Sequence, residues 1–352
     1  MKRTLLALVT AVGALWLTSC GVADSPHVTT PDTAFVSQPN EGSMEEFSRR
    51  KRYAPVGPWN VAYIDEGSGP PVLLLHGCPF HAYQWRDVIP VLARHHRVIA
   101  PDLLGLGDTQ VRLTDDYRLP QDVLLVKGLM DHLGIPQADF VGADHGAATL
   151  QLLMKDSPER IRRAVLTNAE AYDAWPSKPE IKYLKLVVHP LTSPIFRFLL
   201  SHSAWVRHEV FGIAVHREEV FTDEVVLAYT RAHTSSPARW ERLRRFFRWQ
   251  LDPTHNRVTL DAVDALRSFD RPTLILWGKV DTNFGPAIAE RLAADIPGVV
   301  GIEYLEQSAH MPFQEEPEAY NDALMRFLGA TDAELAQRRA GWVVAESKAA
   351  KP

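Results

Sequence analysis

Along the chain, short unbroken apolar runs alternate with segments whose apolar positions recur every three to four residues. Pro71–Leu75, Arg97–Ala100, Ala138–Val141, Arg163–Leu166, Thr273–Trp277 and Gly301–Leu305 have strand length and little polar alternation, the pattern of strands buried on both faces. Tyr53–Val56 and Val61–Ile64, turned at Gly57-Pro58, read as an opening strand pair. Between the runs lie helical spacings over Tyr83–Leu92, Leu119–Leu133 closing at Gly134, Ala147–Met154, Leu260–Phe269, Pro286–Ala293 and Glu318–Leu328. Such alternation predicts the α/β class, with a mostly parallel sheet and helices on both faces. It stops between Glu170 and Asp252, where the pattern is helical and rich in Trp, Phe and Arg, and then resumes. A helical block inserted between two strands predicts a cap over the carboxyl ends of the sheet, where such sheets bind ligands.

The division that follows is 1–19 signal, 20–46 tether, 47–169 first part of the core, 170–255 cap, 256–330 second part of the core and 331–352 tail. Lys2-Arg3, the apolar run Leu5–Leu17 and Leu17-Thr18-Ser19-Cys20 resemble a bacterial lipoprotein signal. That resemblance implies cleavage before Cys20, lipid on its sulfur, and an exported enzyme anchored to the membrane of the cell envelope. Residues 21–46 are rich in Pro, Ser, Thr and Gly without periodicity, and the end Ala345–Pro352 reads as disordered. Once Cys20 is lipidated only Cys78 remains, so no internal disulfide is expected. A net charge of -5 offers nucleic acid no general attraction.

The chemistry centres on Gly142-Ala143-Asp144-His145-Gly146, placed between the Ala138–Val141 strand and the following helix. Glycines around a sharp strand-to-helix turn, with a nucleophile at its centre, form a nucleophile elbow. An aspartate there restricts the reaction. Attack by a carboxylate on an ester yields an anhydride, no easier to resolve than the ester. Attack on a saturated carbon with a leaving group yields an alkyl ester that water hydrolyses. Downstream, Asp281 follows the Thr273–Trp277 strand and His310 follows the last strand. Nucleophile, acid and histidine thus each sit past a strand end. His310 would activate water, and Asp281 would orient its imidazole. His76-Gly77-Cys78-Pro79 follows another buried strand, and the backbone N–H groups of Cys78 and His145 are the oxyanion candidates.

With His76-Gly77-Cys78-Pro79, Pro101-Asp102-Leu103-Leu104-Gly105-Leu106-Gly107, the elbow at Asp144, Asp281 and His310, the chain resembles the aspartate-nucleophile branch of the α/β-hydrolase superfamily. That branch includes haloalkane dehalogenases, fluoroacetate dehalogenases and epoxide hydrolases. The resemblance implies an α/β-hydrolase fold, no cofactor or metal, and a small, fairly apolar halogenated or epoxide substrate. It also implies an alternative acid, Glu170, near Asn168 one strand before Asp281. Haloalkane dehalogenase-like hydrolysis is the leading expectation, with epoxide hydrolysis and a non-catalytic ligand-binding lipoprotein as alternatives. The chain departs from the branch at instructive places. His145 stands where dehalogenases carry a halide-holding Trp, and Cys78 stands where many carry Asn. His145 is therefore a candidate for leaving-group binding. No arginine lies between His145 and Met154 to grip a substrate carboxylate. Epoxide hydrolases use two cap tyrosines as proton donors; Tyr183 and Tyr229 are the candidates here, while Phe246-Phe247 lies near the expected second one. The thiol of Cys78 reads as inert, the cap tryptophans as packing, and Arg239, Arg242, Arg244, Arg245 and Arg248 as a solvated helix face.

Overall fold

The computed structural model describes residues 45–349, so the signal, Cys20 and nearly all of the tether lie outside the described residues. Eight strands form one sheet in the order β1-β2-β4-β3-β5-β6-β7-β8. They are β1 (Arg52–Val56), β2 (Trp59–Glu66), β3 (Pro71–Leu75), β4 (Arg97–Pro101), β5 (Ala138–Ala143), β6 (Ile161–Thr167), β7 (Thr273–Gly278) and β8 (Val299–Leu305). β2 pairs antiparallel with β1 and β4, and every other pairing is parallel. β5 and β7 are buried at every position, which is why their sequences are continuous apolar runs rather than alternating ones.

Helices α1 (Leu119–His132) and α2 (His145–Asp156) pack on each other, and α2 packs on β5 and β3. Between β6 and β7 come the cap helices α3 (Lys178–Val188), α4 (Ser193–His202), α5 (Ala204–Phe211), α6 (Asp223–Thr234) and α7 (Pro237–Gln250). After β7 the chain adds α8 (Pro286–Asp295), α9 (Pro317–Leu328) and α10 (Asp332–Ala349). No helix among the described residues is long and apolar enough to cross a membrane.

Three local expectations are corrected. The helix expected over Tyr83–Leu92 is a 3-10 turn, Ala82–Trp85, and a separate turn, Ile89–Leu92. Pro90 can open a helix but cannot continue one, and the Asp102 carboxylate takes the Ala82 N–H at 2.8 Å. Leu260–Phe269 likewise resolves into two turns, Arg257–Leu260 and Val263–Leu266. The expected disordered end is helical as far as Ala349: α10 packs along β8 and buries Leu335.

The basic stretch of α7 is also not a solvated face throughout. Arg239 and Arg242 are buried, and Arg239 pairs with Asp108 at 2.9 Å. Asp108 in turn meets the buried ammonium of Lys51 at 2.8 Å, and Lys51 meets Asp102 at 2.6 Å. Gly107 makes this approach possible: its φ is +51°, and a Cβ there would stand 2.3 Å from the Asp102 carboxylate. This network joins the N-terminal segment, the loop after β4 and the cap. Burial works against the charge of each member, and the opposite charges outweigh it, holding Lys51 above and Asp102 and Asp108 below their usual ranges. Asp102→Ala leaves a buried ammonium short of one partner. We expect a loss of about 3–5 kcal/mol, read as a lower urea midpoint; an unchanged midpoint would show that the network carries no net stability.

Candidate active site

The site is built where β3 and β5 lie side by side, with Leu75 in register with Gly142. The chain leaves β5 at Asp144 with φ 53° and ψ −118°, a strained conformation outside the favoured regions for a side-chain-bearing residue. Its neighbours must be glycine. A Cβ on Gly142 would stand 2.7 Å from the Gly146 carbonyl oxygen, and one on Gly146 would stand 2.1 Å from the Leu75 carbonyl oxygen. Strand, elbow and helix are packed backbone to backbone. The β3 turn is matched to Asp144 in the same way: a Cβ on Gly77 would lie 2.6 Å from Asp144 Oδ2.

The two oxygens of Asp144 are treated differently. Oδ2 accepts the backbone N–H of Cys78 at 2.7 Å. Oδ1 has no hydrogen-bond partner among the described residues and faces His310 Nε2 at 3.6 Å, beyond hydrogen-bond length. His310 Nδ1 meets Asp281 Oδ2 at 3.0 Å. Asp281 is held in turn: Oδ1 accepts the Asn283 N–H at 2.7 Å, and Oδ2 accepts from Asn168 Nδ2 at 2.7 Å. Asp144, His310 and Asp281 therefore form one connected line, with both carboxylates on opposite sides of the imidazole. Burial alone would lower the His310 pKa, but the charge and hydrogen bond of Asp281 and the nearby charge of Asp144 outweigh it and hold it well above the usual imidazole range. Esterification of Asp144 would remove one of those charges, lower the His310 pKa, and free the ring to act as a base.

Asn168 has a structural role that its position in the sequence did not reveal. Its Oδ1 accepts the Gly278 N–H at 2.9 Å while Nδ2 holds Asp281. An amide at the end of β6 thus orients the acid at the end of β7. The signal available in the sequence was its place at a strand end, one strand before Asp281.

Glu170 does not meet His310. Its Oε2 lies 2.9 Å from His145 Nδ1, and Oε1 accepts from Gln250 at 3.4 Å. The His145 side chain is corrected with it. Its other nitrogen, Nε2, lies 3.1 Å from Asp122, and the fully buried ring packs edge-on against Phe246 and Trp249. Burial opposes a charge on His145, but Glu170 and Asp122 overcome it and push the pKa up to about 10. Both ring N–H groups are thereby committed to carboxylates, and neither reaches a leaving group. The backbone N–H of His145 makes no hydrogen bond to Asp144 among the described residues, so Cys78 alone holds the carboxylate here.

A cleft with about 890 Å³ of non-atom space opens between cap and core, floored by Cys78 and His310. Its walls are largely apolar, with Leu184, Val187, Phe196, Leu200, Phe211 and Phe247 among them. Tyr183 also lines the cleft, but its hydroxyl donates to the Glu209 carbonyl at 3.0 Å. Tyr229 is not in the lining: it is fully buried, and its hydroxyl meets Gln314 at 2.5 Å and Arg86 at 3.3 Å. The two-tyrosine arrangement is thus not formed. Indole N–H groups are spent elsewhere too, Trp240 on Ser193 and Trp175 on Thr259, both at 2.9 Å. Burial pushes the Cys78 thiol up, and the nearby Asp144 charge adds to this, leaving an inert thiol.

Comparison with known proteins agrees with this architecture. A family model for the alpha/beta hydrolase fold matches residues 70–317. Haloalkane dehalogenase 2 of Mycobacterium bovis is 27% identical over 273 residues, covering 76% of this chain and 91% of the relative. A soluble epoxide hydrolase of Corynebacterium sp. is 26% identical over 288 residues, covering 78% and 95%. Among solved structures, a meta-cleavage product hydrolase from Pseudomonas fluorescens superposes with a TM-score of 0.67 at 24% identity, over 79% of this chain and 97% of that one. With the family model spanning more than half its length and the eight-stranded sheet matching, the chain belongs to the α/β-hydrolase fold family.

Proposed function

We propose that this protein hydrolyses a small, fairly apolar substrate by displacement at sp3 carbon. Asp144 Oδ1 attacks the carbon, the leaving group departs, and an alkyl ester forms on Asp144. His310, held by Asp281, then takes a proton from water that attacks the Asp144 carbonyl carbon, and the Cys78 N–H stabilises the oxyanion. The observation that carries this reading is the asymmetry of the Asp144 carboxylate, with one oxygen held by the Cys78 N–H and the other free and facing His310. Among the described residues no arginine or lysine lines the cleft to hold an anionic substrate.

The similarity to haloalkane dehalogenases supports a carbon–halogen bond as the first substrate class, and the similarity to an epoxide hydrolase supports a second. A panel of bromoalkanes scored for halide release, set against terminal epoxides scored for diol, separates them. Tight binding without product from either class would mean a binding protein instead. Lipid attachment at Cys20 is part of the same reading, motivated by the apolar run that ends there. Cys20→Ser should move the enzyme from the membrane fraction to the soluble fraction; retention in the membrane would rule out the anchor.

A further inference from the structure

We propose that Glu180 is the general acid of this site and that it protonates the oxygen released when Asp144 opens an epoxide. The inference deepens the displacement reading above and rests on it. A halide leaves as a stable anion and needs no proton, whereas an alkoxide is strongly basic and needs a positioned acid. The question is which group in the cleft can deliver one.

The Brønsted acids of the lining can be taken in turn. His310 turns Nδ1 to Asp281 at 3.0 Å and Nε2 to the attacking oxygen of Asp144 at 3.6 Å. The Tyr183 hydroxyl is turned to the Glu209 carbonyl. Thr230 and Thr234 donate to the carbonyls of Val226 and Thr230 on their own helix. His233 Nε2 lies 2.7 Å from the Pro79 carbonyl, which makes it the donor there. Both oxygens of Glu170 are engaged, by His145 and Gln250. The Cys78 thiol is pushed well up by its burial. Gln250 and Asn283 carry amides, which hold an anion but transfer no proton.

Glu180 differs from all of these. It lies on the first turn of α3, at the N3 position of a capping box, and its Oε2 accepts the Ser177 N–H at 2.9 Å. That accounts for one oxygen. The other has no hydrogen-bond partner among the described residues, and the side chain lines the cleft. A capping glutamate is normally ionised at the surface. Here, burial pushes the carboxyl up to about 8, with the nearby Asp144 charge adding to burial and with His310 and the Ser177 bond only partly opposing them. Held above the usual carboxylate range in this way, the carboxyl favours its protonated form and lines the same cleft as His310 and as Cys78, whose N–H holds Asp144.

The step balances. The carbon–oxygen bond of the epoxide breaks as Asp144 Oδ1 bonds to the carbon. The released oxygen takes the Glu180 proton, leaving a hydroxyalkyl ester on Asp144 and a carboxylate at Glu180. Hydrolysis of the ester by one water regenerates the Asp144 carboxylate, releases the diol and frees one proton, which returns to Glu180. Epoxides of small apolar skeleton are thus the substrate class for which the Glu180 proton has a use.

The test uses the full chain carrying His310→Ala, in which the ester accumulates, with and without Glu180→Gln. Gln keeps an oxygen for the Ser177 N–H but has no proton to transfer. Intact-mass kinetics follow alkylation by a terminal epoxide and by a bromoalkane of similar skeleton. We expect Glu180→Gln to lower the epoxide-to-bromide ratio of alkylation rates by about 10²-fold. The epoxide rate of the parent should also fall once the pH passes the Glu180 pKa, which loss of the His310 charge moves above about 8, and that fall should vanish in Glu180→Gln. An equal slowing for both substrates, or an unchanged pH profile, overturns the role of Glu180. Adduct from the bromide but none from the epoxide, with Glu180 intact, overturns it as well and leaves the displacement reading standing. No adduct from either class overturns both.

Discussion

Asp144→Ala should abolish turnover and covalent capture of substrate together, with activity falling by about 10⁴-fold or more. The argument is one of bonds. Only Asp144 Oδ1 is both free of hydrogen bonds and opposite the His310 imidazole. Without it no alkyl ester forms, and the remaining pair, His310 and Asp281, has nothing to hydrolyse. The variant should remain folded, because alanine adopts the φ of 53° at a cost of the same order as aspartate. Thermal unfolding checks that. A second readout follows from electrostatics. Asp144 helps hold the His310 pKa up, so its removal should lower that pKa, measured by NMR of the imidazole. Adduct on the Asp144→Ala protein at any residue, with turnover retained, would falsify the assignment.

His310→Ala should show the opposite separation. Alkylation continues because it requires only the Asp144 carboxylate and the leaving group. Hydrolysis of the ester slows by about 10²- to 10⁴-fold, because no base remains beside the attacking water. The expected result is a stoichiometric adduct with almost no turnover. Its mass identifies the reaction: a bromoalkane adds its alkyl group without the halogen, whereas an epoxide adds its whole mass. The pH dependence of the unmutated enzyme has a definite sign. In the free enzyme His310 is cationic between two carboxylates. Only after Asp144 is esterified does the ring lose its proton readily, so hydrolysis should speed up as the pH rises through the lowered His310 pKa. Equal loss of both steps in His310→Ala would mean that the histidine supports the fold of the site rather than the water.

The strands were legible because they are buried on both faces. Runs such as Val72–Leu75 and Leu274–Trp277 have no solvated side, so their apolar character is continuous and their position unambiguous. Asp144, Asp281 and His310 were legible because each follows such a run directly. Helices with weak or interrupted periodicity were less so. Pro90 divides one, and the contacts that order α10 against β8 are long-range and leave little periodic trace in its sequence. The charged residues of the cap were misread for a related reason. Arg239 and Arg242 look like a solvated run along the helix, yet the carboxylate that receives Arg239, Asp108, lies more than a hundred residues away.

From the sequence alone came the alternating core with its inserted helical block, the aspartate at a glycine-flanked elbow, and the restriction to chemistry that leaves a hydrolysable ester. These are local properties: periodicity, steric demand at a turn and the reactivity of one functional group. Tertiary structure alone decided what surrounds that group. It turned His145 away between Asp122 and Glu170, kept Tyr229 out of the cleft lining, set Asn168 behind Asp281, and brought Glu180 from the cap into the cleft lined by Cys78 and His310. The physical reason is that a side chain's hydrogen-bond partners and the charge it carries depend on groups distant in the chain, and only packing brings those groups together.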